Sequence, residues 1–208
     1  MHRLVLFAAA FSLTACSGGG SGDDGGDDDD RVETADTAPA VAAPFGPDNA
    51  WFHATVDDVP VDLGPTGSTG MGERPGDFAY QDQNGDTVSL YQFYGKTVQL
   101  VLMAQWCGPC QAEAPLIGDT ARDLLDDDVI VLELMLENTA GNRPALTDVQ
   151  AWASEYGADH PVLAVSDNAF DAWLAGGYPT LPILDGDLVT VVADNFPFSP
   201  TTLEQQAP

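Results

Sequence analysis

Two runs of apolar residues lie in the middle of the chain. Residues 97–103 (TVQLVLM) and 129–136 (VIVLELML) are almost continuously apolar, as in strands buried on both faces of a sheet. Between them, apolar side chains recur at helical spacing, at Ile117, Ala121, Leu124 and Leu125. This spacing predicts a helix over residues 107–125. A strand, a helix and a second strand in this order predict an α/β fold.

Two hairpins are predicted on either side of this unit. Short apolar stretches at 77–81 and 87–90 flank Gln-Asn-Gly-Asp at 83–86, a sequence typical of a turn. Near the C-terminus, stretches 181–184 and 188–193 flank Asp-Gly-Asp. Hairpins are antiparallel, so we expect a mixed central sheet flanked by helices.

The region between the second buried strand and the last hairpin predicts three more elements. Thr147 and Gln150 have the spacing of a capping box, which would open a helix that runs to Tyr156. Residues 161–165 are predicted to form a short strand. Residues 166–175 are predicted to form a helix that ends at Gly176-Gly177.

The N-terminal part of the chain has the composition of a leader and a spacer. Residues 1–15 combine Arg3 with a short apolar stretch, as in a secretory signal, and Leu-Thr-Ala-Cys at 13–16 resembles a bacterial lipobox. The resemblance implies cleavage before Cys16 and lipid attachment to it; an ordinary cleaved signal is the alternative. Residues 16–45 are rich in Gly, Ser and Asp and predict a flexible tether. We assign 46–71 to an N-terminal extension, irregular or a short β-hairpin, and 72–208 to the main domain.

The charge of the chain excludes several classes of partner. There are 33 acidic residues against 6 Lys and Arg, which gives a formal net charge of −27. A surface this negative repels phosphate backbones, so we expect no nucleic-acid partner. Binding to anionic lipid through a basic patch is excluded for the same reason. If the protein is held at a membrane, Cys16 is the residue that would hold it.

Chemistry is concentrated in the sequence Cys107-Gly108-Pro109-Cys110, at the junction of the first buried strand and the helix. Two cysteines at this spacing can close a disulfide with little strain. The helix N-terminus stabilises a thiolate on Cys107 and lowers its pKa. Cys110, one turn further in, is expected to be more buried and to resolve a mixed disulfide. The motif predicts redox chemistry.

Two other interpretations of the cysteine pair remain open at this point. The pair could form half of a zinc site, which would need further ligands such as His53 or His160. It could also form a purely structural disulfide. We expect both histidines to lie at the surface or to contact backbone, and we predict no metal and no cofactor.

The residues around the motif resemble those of the thioredoxin-like superfamily. Trp106 directly precedes the first cysteine, Pro115 lies five residues beyond the second, and Gly177-Tyr178-Pro179-Thr180 precedes a predicted strand. The resemblance implies a thioredoxin-like fold with a cis-proline at Pro179 and a substrate-binding surface formed by Trp106, Tyr178, Pro179 and Thr180. The leader from Pro75 and the long segment between Cys110 and Pro179 are similar to the TlpA/ResA-like extracytoplasmic reductases.

The same resemblance assigns a third catalytic residue. Glu113 follows Cys110 by three residues, where an acid of the family assists proton movement. Cytoplasmic thioredoxins carry a buried acid six residues before the first cysteine, and this chain has Val101 there. Glu113 would therefore act alone. Glu133, inside the second apolar run, is interpreted as an outward-facing residue.

The combined prediction is an extracytoplasmic thiol–disulfide oxidoreductase, lipid-anchored in a bacterial envelope with its domain in the periplasm. Its partners would be oxidised client proteins and a membrane thiol electron donor. A peroxidase is an alternative, although Ala104 stands three residues before Cys107 where peroxidases need threonine. A copper-delivery or copper-binding lipoprotein and a non-catalytic lipoprotein are further alternatives.

Overall fold

The computed structural model describes residues 43–174 and 176–208, and the signal, Cys16 and most of the tether lie outside this part of the chain. Within it, the secondary structure comprises strands β1 (Ala79–Gln81), β2 (Thr87–Ser89), β3 (Thr97–Ala104), β4 (Val129–Glu137), β5 (Val162–Ala164), β6 (Ile183–Leu184) and β7 (Thr190–Val192), and helices α1 (Gly108–Asp123), α2 (Leu146–Tyr156) and α3 (Pro200–Glu204). Short 3-10 turns occur at Tyr91–Phe93, Leu125–Asp127 and Asp171–Trp173.

The strands form one mixed sheet in the order β2-β1-β5-β4-β3-β6-β7. The three central strands are parallel, and β1, β2, β6 and β7 pair antiparallel at the two edges. Both predicted hairpins and both predicted buried strands are present, and the α/β fold with a mixed sheet is confirmed.

Side chains of the central strands alternate between two apolar clusters. On β4, Val131 and Met135 belong to a cluster with α1, α2 and the two cysteines, which we call the cysteine face. Leu132 and Leu134 belong to a second cluster, the opposite face, which includes the aromatic ring of Phe170. Burial on both sides explains why these strands read as continuous apolar runs.

The N-terminal extension packs against the start of the main domain without forming regular strands. Its pairing is limited to isolated bridges, Pro44 with Thr55 and Gly67 with Pro75, so the hairpin considered for this region is reduced to a single antiparallel bridge. The indole Nε1 of Trp51 donates to Asp82 at 2.6 Å. Phe52 of the extension lies near the start of β3, with its ring centroid 4.3 Å from Lys96 Nζ, whereas the cysteines follow the end of β3.

Two local predictions were wrong. A helix was predicted over residues 166–175, but residues 166–174, the described part of this segment, contain only the 3-10 turn Asp171–Trp173. Helix α2 begins before Thr147, and its first turn is capped by the Asp148 carboxylate, which accepts from the Ala145 N–H at 2.8 Å. Within the described residues, no helix has the length and apolar character needed to cross a membrane.

Candidate active site

The two cysteines form a disulfide at the beginning of α1. The Cα atoms of Cys107 and Cys110 are 5.3 Å apart. Cys107 is the N-cap residue of the helix, and its Sγ accepts a hydrogen bond from the Cys110 N–H at 3.1 Å. Pro109 lies in the first helical turn, where the absence of its N–H costs little. One backbone donor of the helix thus points at the sulfur that was predicted to attack.

Burial does not distinguish the two cysteines. Cys107 is 2% exposed and Cys110 is 3% exposed, so the expectation that Cys110 is the more buried residue is wrong. Both side chains belong to the apolar cluster of the cysteine face because the helix start packs directly onto the sheet. An incoming disulfide therefore needs a local opening of the surface to reach either sulfur.

An aromatic pair next to the disulfide is tied together by one carboxylate. Trp106 is 51% exposed, and its ring meets that of Tyr178 edge to face at 5.8 Å between centroids. Glu137, at the end of β4, accepts from Trp106 Nε1 at 2.8 Å and from the Tyr178 hydroxyl at 3.4 Å. Burial, followed by the negative charge of Glu137, raises the pKa of Tyr178 to about 12. The sequence did not lead to a prediction for Glu137. The only feature that could have indicated it is its position as an acid at the end of a predicted buried strand.

The loop before β6 has the geometry that the resemblance implied. The Tyr178–Pro179 peptide bond is cis, as expected. The backbone of Thr180 exchanges two hydrogen bonds with Leu102 of β3, at 2.9 and 3.1 Å. This pairing holds the loop beside the strand that leads to Trp106 and Cys107. The substrate-binding role of these residues stays a prediction.

Glu113 lies on α1, one turn after Cys110, and is partly buried. Its Oε1 accepts from the Phe198 backbone N–H at 3.0 Å. Its Oε2 is buried and has no hydrogen-bond partner among the described residues. The side chain therefore has one oxygen with a structural contact and one oxygen available for a proton.

Glu133 and His160 are placed differently from the prediction. Glu133 is 1% exposed and His160 is 5% exposed, so an outward-facing acid and a surface histidine are both wrong. The two side chains bind each other at 2.8 Å. His160 lies 27 residues after Glu133 and just before a short strand, so no periodic pattern in the sequence predicted this contact. His53 instead contacts the backbone carbonyls of Phe45 and Asn49, as expected for a backbone-capping histidine.

The described residues contain no group of three or more His, Cys, Asp or Glu side chains arranged to hold a metal ion. The described contacts of His53 and His160 are with backbone carbonyls and with Glu133, not with the cysteines. The zinc half-site that the sequence left open therefore gains no support from the positions of these side chains.

A comparison with protein-family models decides the family. The model described as the AhpC/TSA family matches residues 71–185, more than half of the chain. The chain belongs to the AhpC/TSA family. The match includes β1 to β5, the cysteine motif, Glu113 and the loop with Pro179, so the parts of the site that the sequence predicted lie within the AhpC/TSA region.

Two curated relatives are each 28% identical to this chain over the aligned residues. Thioredoxin-like protein YneN of Bacillus subtilis is 28% identical over 114 residues, which cover 55% of this chain and 65% of the relative. Thiol-disulfide oxidoreductase ResA of Halalkalibacterium halodurans is 28% identical over 123 residues, covering 58% of this chain and 66% of the relative. The chain thus spans just under two thirds of the length of these curated relatives.

Solved structures identify the fold. The thioredoxin domain of a thiol-disulfide oxidoreductase from Bacteroides vulgatus superposes with a TM-score of 0.57 at 18% identity, covering 66% of this chain and 98% of that one. A Chlorobium tepidum chain named thiol:disulfide interchange protein DsbE gives 0.55 at 22% identity, covering 65% and 94%. The AhpC/TSA region therefore has a thioredoxin-like fold, which confirms the fold that the sequence resemblance implied.

Proposed function

We propose that this chain is an extracytoplasmic thiol–disulfide oxidoreductase that reduces disulfides of client proteins. The observation that carries the proposal is the contact of the Cys107 sulfur with the N-terminus of α1, where backbone N–H groups and the helix dipole stabilise a thiolate. The names of the relatives YneN and ResA support the same chemistry.

The proposed reaction transfers two electrons to the client. The Cys107 thiolate attacks one sulfur of the client disulfide, a Cys107–client bond forms, and the second client sulfur leaves and takes up a proton. Cys110 then loses its proton and attacks Cys107, which releases the reduced client and closes the protein disulfide. Glu113 is the proposed acceptor of the Cys110 proton, through the oxygen that lacks a partner.

The surface next to the disulfide would receive the client backbone. Trp106 is exposed beside the cysteines, and the cis-proline loop with Tyr178, Pro179 and Thr180 is held against β3. The Glu137 contacts fix the relative positions of Trp106 and Tyr178. We infer that these side chains move together when the client reaches Cys107.

The location and partners belong to the same proposal. A reductant in an oxidising compartment needs an electron source, so a membrane thiol donor would return the pair to the reduced form. Lipid attachment at Cys16 would hold the protein at a bacterial membrane with its domain in the periplasm. Cells that produce Cys16→Ala should release the protein into the soluble fraction. Retention of that variant in the membrane pellet would contradict the anchor.

Insulin reduction tests the activity directly. The chemically reduced full chain should reduce insulin disulfides, and Cys107→Ser should not. Consumption of hydrogen peroxide without insulin reduction would favour the peroxidase alternative. Binding of Cu(I) that depends on Cys107, without reduction of insulin, would favour copper delivery. The proposal fails if the folded, reduced protein leaves insulin intact.

A further inference from the structure

A glutamate lies inside the apolar core of the cysteine face. Glu133 is the fifth residue of β4, between Val131 and Met135 on the same side of the strand. Only 1% of its surface is exposed. A buried carboxylate is costly unless it is hydrogen-bonded, so its partners and its effect on neighbouring groups need an explanation.

Both oxygens of Glu133 have a partner. Trp152 Nε1 of α2 lies 2.7 Å from Oε2, and His160 Nε2 lies 2.8 Å from Oε1. The indole N–H can only donate, so Oε2 is an acceptor. His160 Nδ1 is buried and makes no hydrogen bond with the described residues, so a doubly protonated ring would bury an unpaired N–H. The contacts fit a carboxylate that accepts from the indole N–H and from an imidazole N–H.

The register of the sheet places Glu133 on the cysteine face. Glu133 pairs with Val101 of β3, six residues before Cys107. Paired residues of adjacent parallel strands share a face, and Val101 lies in the same apolar cluster as both cysteines. Three residues of β3 separate Val101 from Ala104, whose carbonyl accepts from the Cys107 N–H at 3.0 Å. At about 3.3 Å per residue along the strand, the carboxylate therefore lies on the order of 10 Å from the cysteine pair.

We propose that Glu133, held by Trp152 and His160, is a positioning residue for the cysteine pair: its buried negative charge opposes ionisation of the reduced thiols and keeps the pair strongly reducing. The role of this effect in catalysis rests on the proposed function. The electrostatic effect itself concerns only the two cysteines and can be tested without a client.

The sign of the effect follows from the reaction. Reduction converts the disulfide into two thiols by adding two electrons and two protons, and a thiol can then release its proton. Removing a negative charge favours the thiolate and lowers the thiol pKa. Above that pKa, the stabilised thiolate favours the reduced form and makes the disulfide easier to reduce.

The size of the effect follows from the separation. At about 10 Å and an effective dielectric constant of about 20, two unit charges change a pKa by about one unit. One unit is a tenfold change, which corresponds to about 30 mV for a two-electron couple.

Other charged groups around Glu133 are more exposed or already engaged. On α1, Glu113 binds the Phe198 N–H, and Arg122 pairs with surface Asp119 and Asp159. On α2, Asp148 caps the helix. The described strands β3 and β5 contain no titratable side chain. The remaining groups on the packed elements are Asp123, Glu137, Glu155 and Tyr156.

The test compares Glu133→Gln with Asp159→Asn, in full chains that carry Cys16→Ser so that only the pair titrates. Gln keeps the shape and can keep both hydrogen bonds, whereas Asp159 is an exposed acid next to His160. We expect Glu133→Gln to lower the Cys107 thiol pKa, followed by thiolate absorbance, by about one unit. Its reduction potential should be less negative by up to about 30 mV above that pKa and unchanged below it. Asp159→Asn should change neither quantity.

A second variant and a measurement on the unchanged pair cover the case in which Glu133→Gln fails to fold. Trp152→Phe keeps a buried ring and removes the hydrogen bond that the indole donates to Glu133. The Glu133 charge is then less well stabilised, so the pKa of the Cys107 thiol should fall, but by less than in Glu133→Gln. In the reduced protein with Glu133 and Trp152 intact, the chemical shift of the Trp152 indole N–H should change with pH, and its midpoint should match the pKa of the Cys107 thiol. The indole resonance of Trp173 should not change in this range.

Two results would overturn the inference. The first is a folded Glu133→Gln whose thiol pKa and potential match the parent protein at every pH. The second is a Trp152 resonance that does not respond to thiol ionisation. Failure of the proposed function looks different, because insulin would then remain unreduced while the thiol pKa still responds to Glu133→Gln.

Discussion

The two faces of the central sheet bury different kinds of residue. The opposite face is built from Leu, Ile, Val and aromatic side chains, such as Leu132, Leu134 and Phe170. The cysteine face contains a comparable apolar cluster, but Glu133, His160 and the disulfide are buried among it. Buried polar side chains also occur beside the opposite face, where Asp82 accepts from Trp51 Nε1, so what distinguishes the cysteine face is the disulfide. We infer that one face mainly supplies stability and the other supplies reactivity.

The largest expected effect separates chemistry from stability on the cysteine face. Cys107→Ser should abolish disulfide exchange, because a serine hydroxyl cannot attack a disulfide, while the domain still folds. The measurement is insulin reduction together with thermal melting. Cys110→Ser is the matched variant and should still form mixed disulfides through Cys107. Full activity of Cys107→Ser would show that the cysteine face does not supply the reactivity through this thiol.

A cavity in the opposite face should have the reverse effect. Leu132 is fully buried, and Leu132→Ala should lower the free energy of unfolding by about 2–5 kcal/mol. The exchange rate per folded molecule should not change. Leu125→Ala, at a 61% exposed position, is the control and should stay within about 0.5 kcal/mol. A changed reduction potential in Leu132→Ala would show that the faces are not independent.

Glu113→Gln should slow the reaction with little change in melting temperature. Gln keeps an acceptor for the Phe198 N–H and loses the proton acceptor, so exchange should fall by about 10²-fold or more, with an altered pH–rate profile. Glu155→Gln, which removes an exposed acid of α2, is the control. An unchanged rate from about pH 6 to pH 9 would reduce Glu113 to a structural contact.

The smallest expected effect concerns the rim of the site. The pKa of Tyr178 is about 12, and burial raises it more than Glu137 does. Glu137→Gln should therefore lower this pKa only part of the way toward 10, as followed by NMR of the ring. Because folding raises the pKa, the neutral phenol stabilises the folded state below about pH 10, and this contribution is lost as the pH rises toward 12. A full return to 10 would show that charge, not burial, is the main cause.

The sequence was informative where structure follows from local pattern. The two apolar runs predicted β3 and β4, and the spacing of the cysteines predicted a disulfide at a helix start. The contact between Glu133 and His160 was not predictable in this way, because it joins residues far apart in the chain through the packing of β4 against the segment before β5. A single acid in an apolar run can point to either face of the sheet, and only the register of the strand in the folded sheet decides which face it occupies.

The failed helix over residues 166–175 has a related cause. Phe170 is fully buried against the opposite face. Its ring makes T-shaped contacts with Phe78, which is distant in the chain, and with Trp173. Local helix propensity does not account for such packing. Tertiary packing therefore replaced the helix with a single 3-10 turn, Asp171–Trp173.

Trapping in the native host tests the central claim most directly. Cys110→Ala removes the resolving thiol, so Cys107 should remain disulfide-linked to client proteins that a reductant releases and mass spectrometry identifies. Cys107→Ala and the double variant should trap none. Adducts that form with Cys107→Ala and not with Cys110→Ala, or no adducts with any folded variant, would contradict the assignment of Cys107 as the thiol that attacks client disulfides.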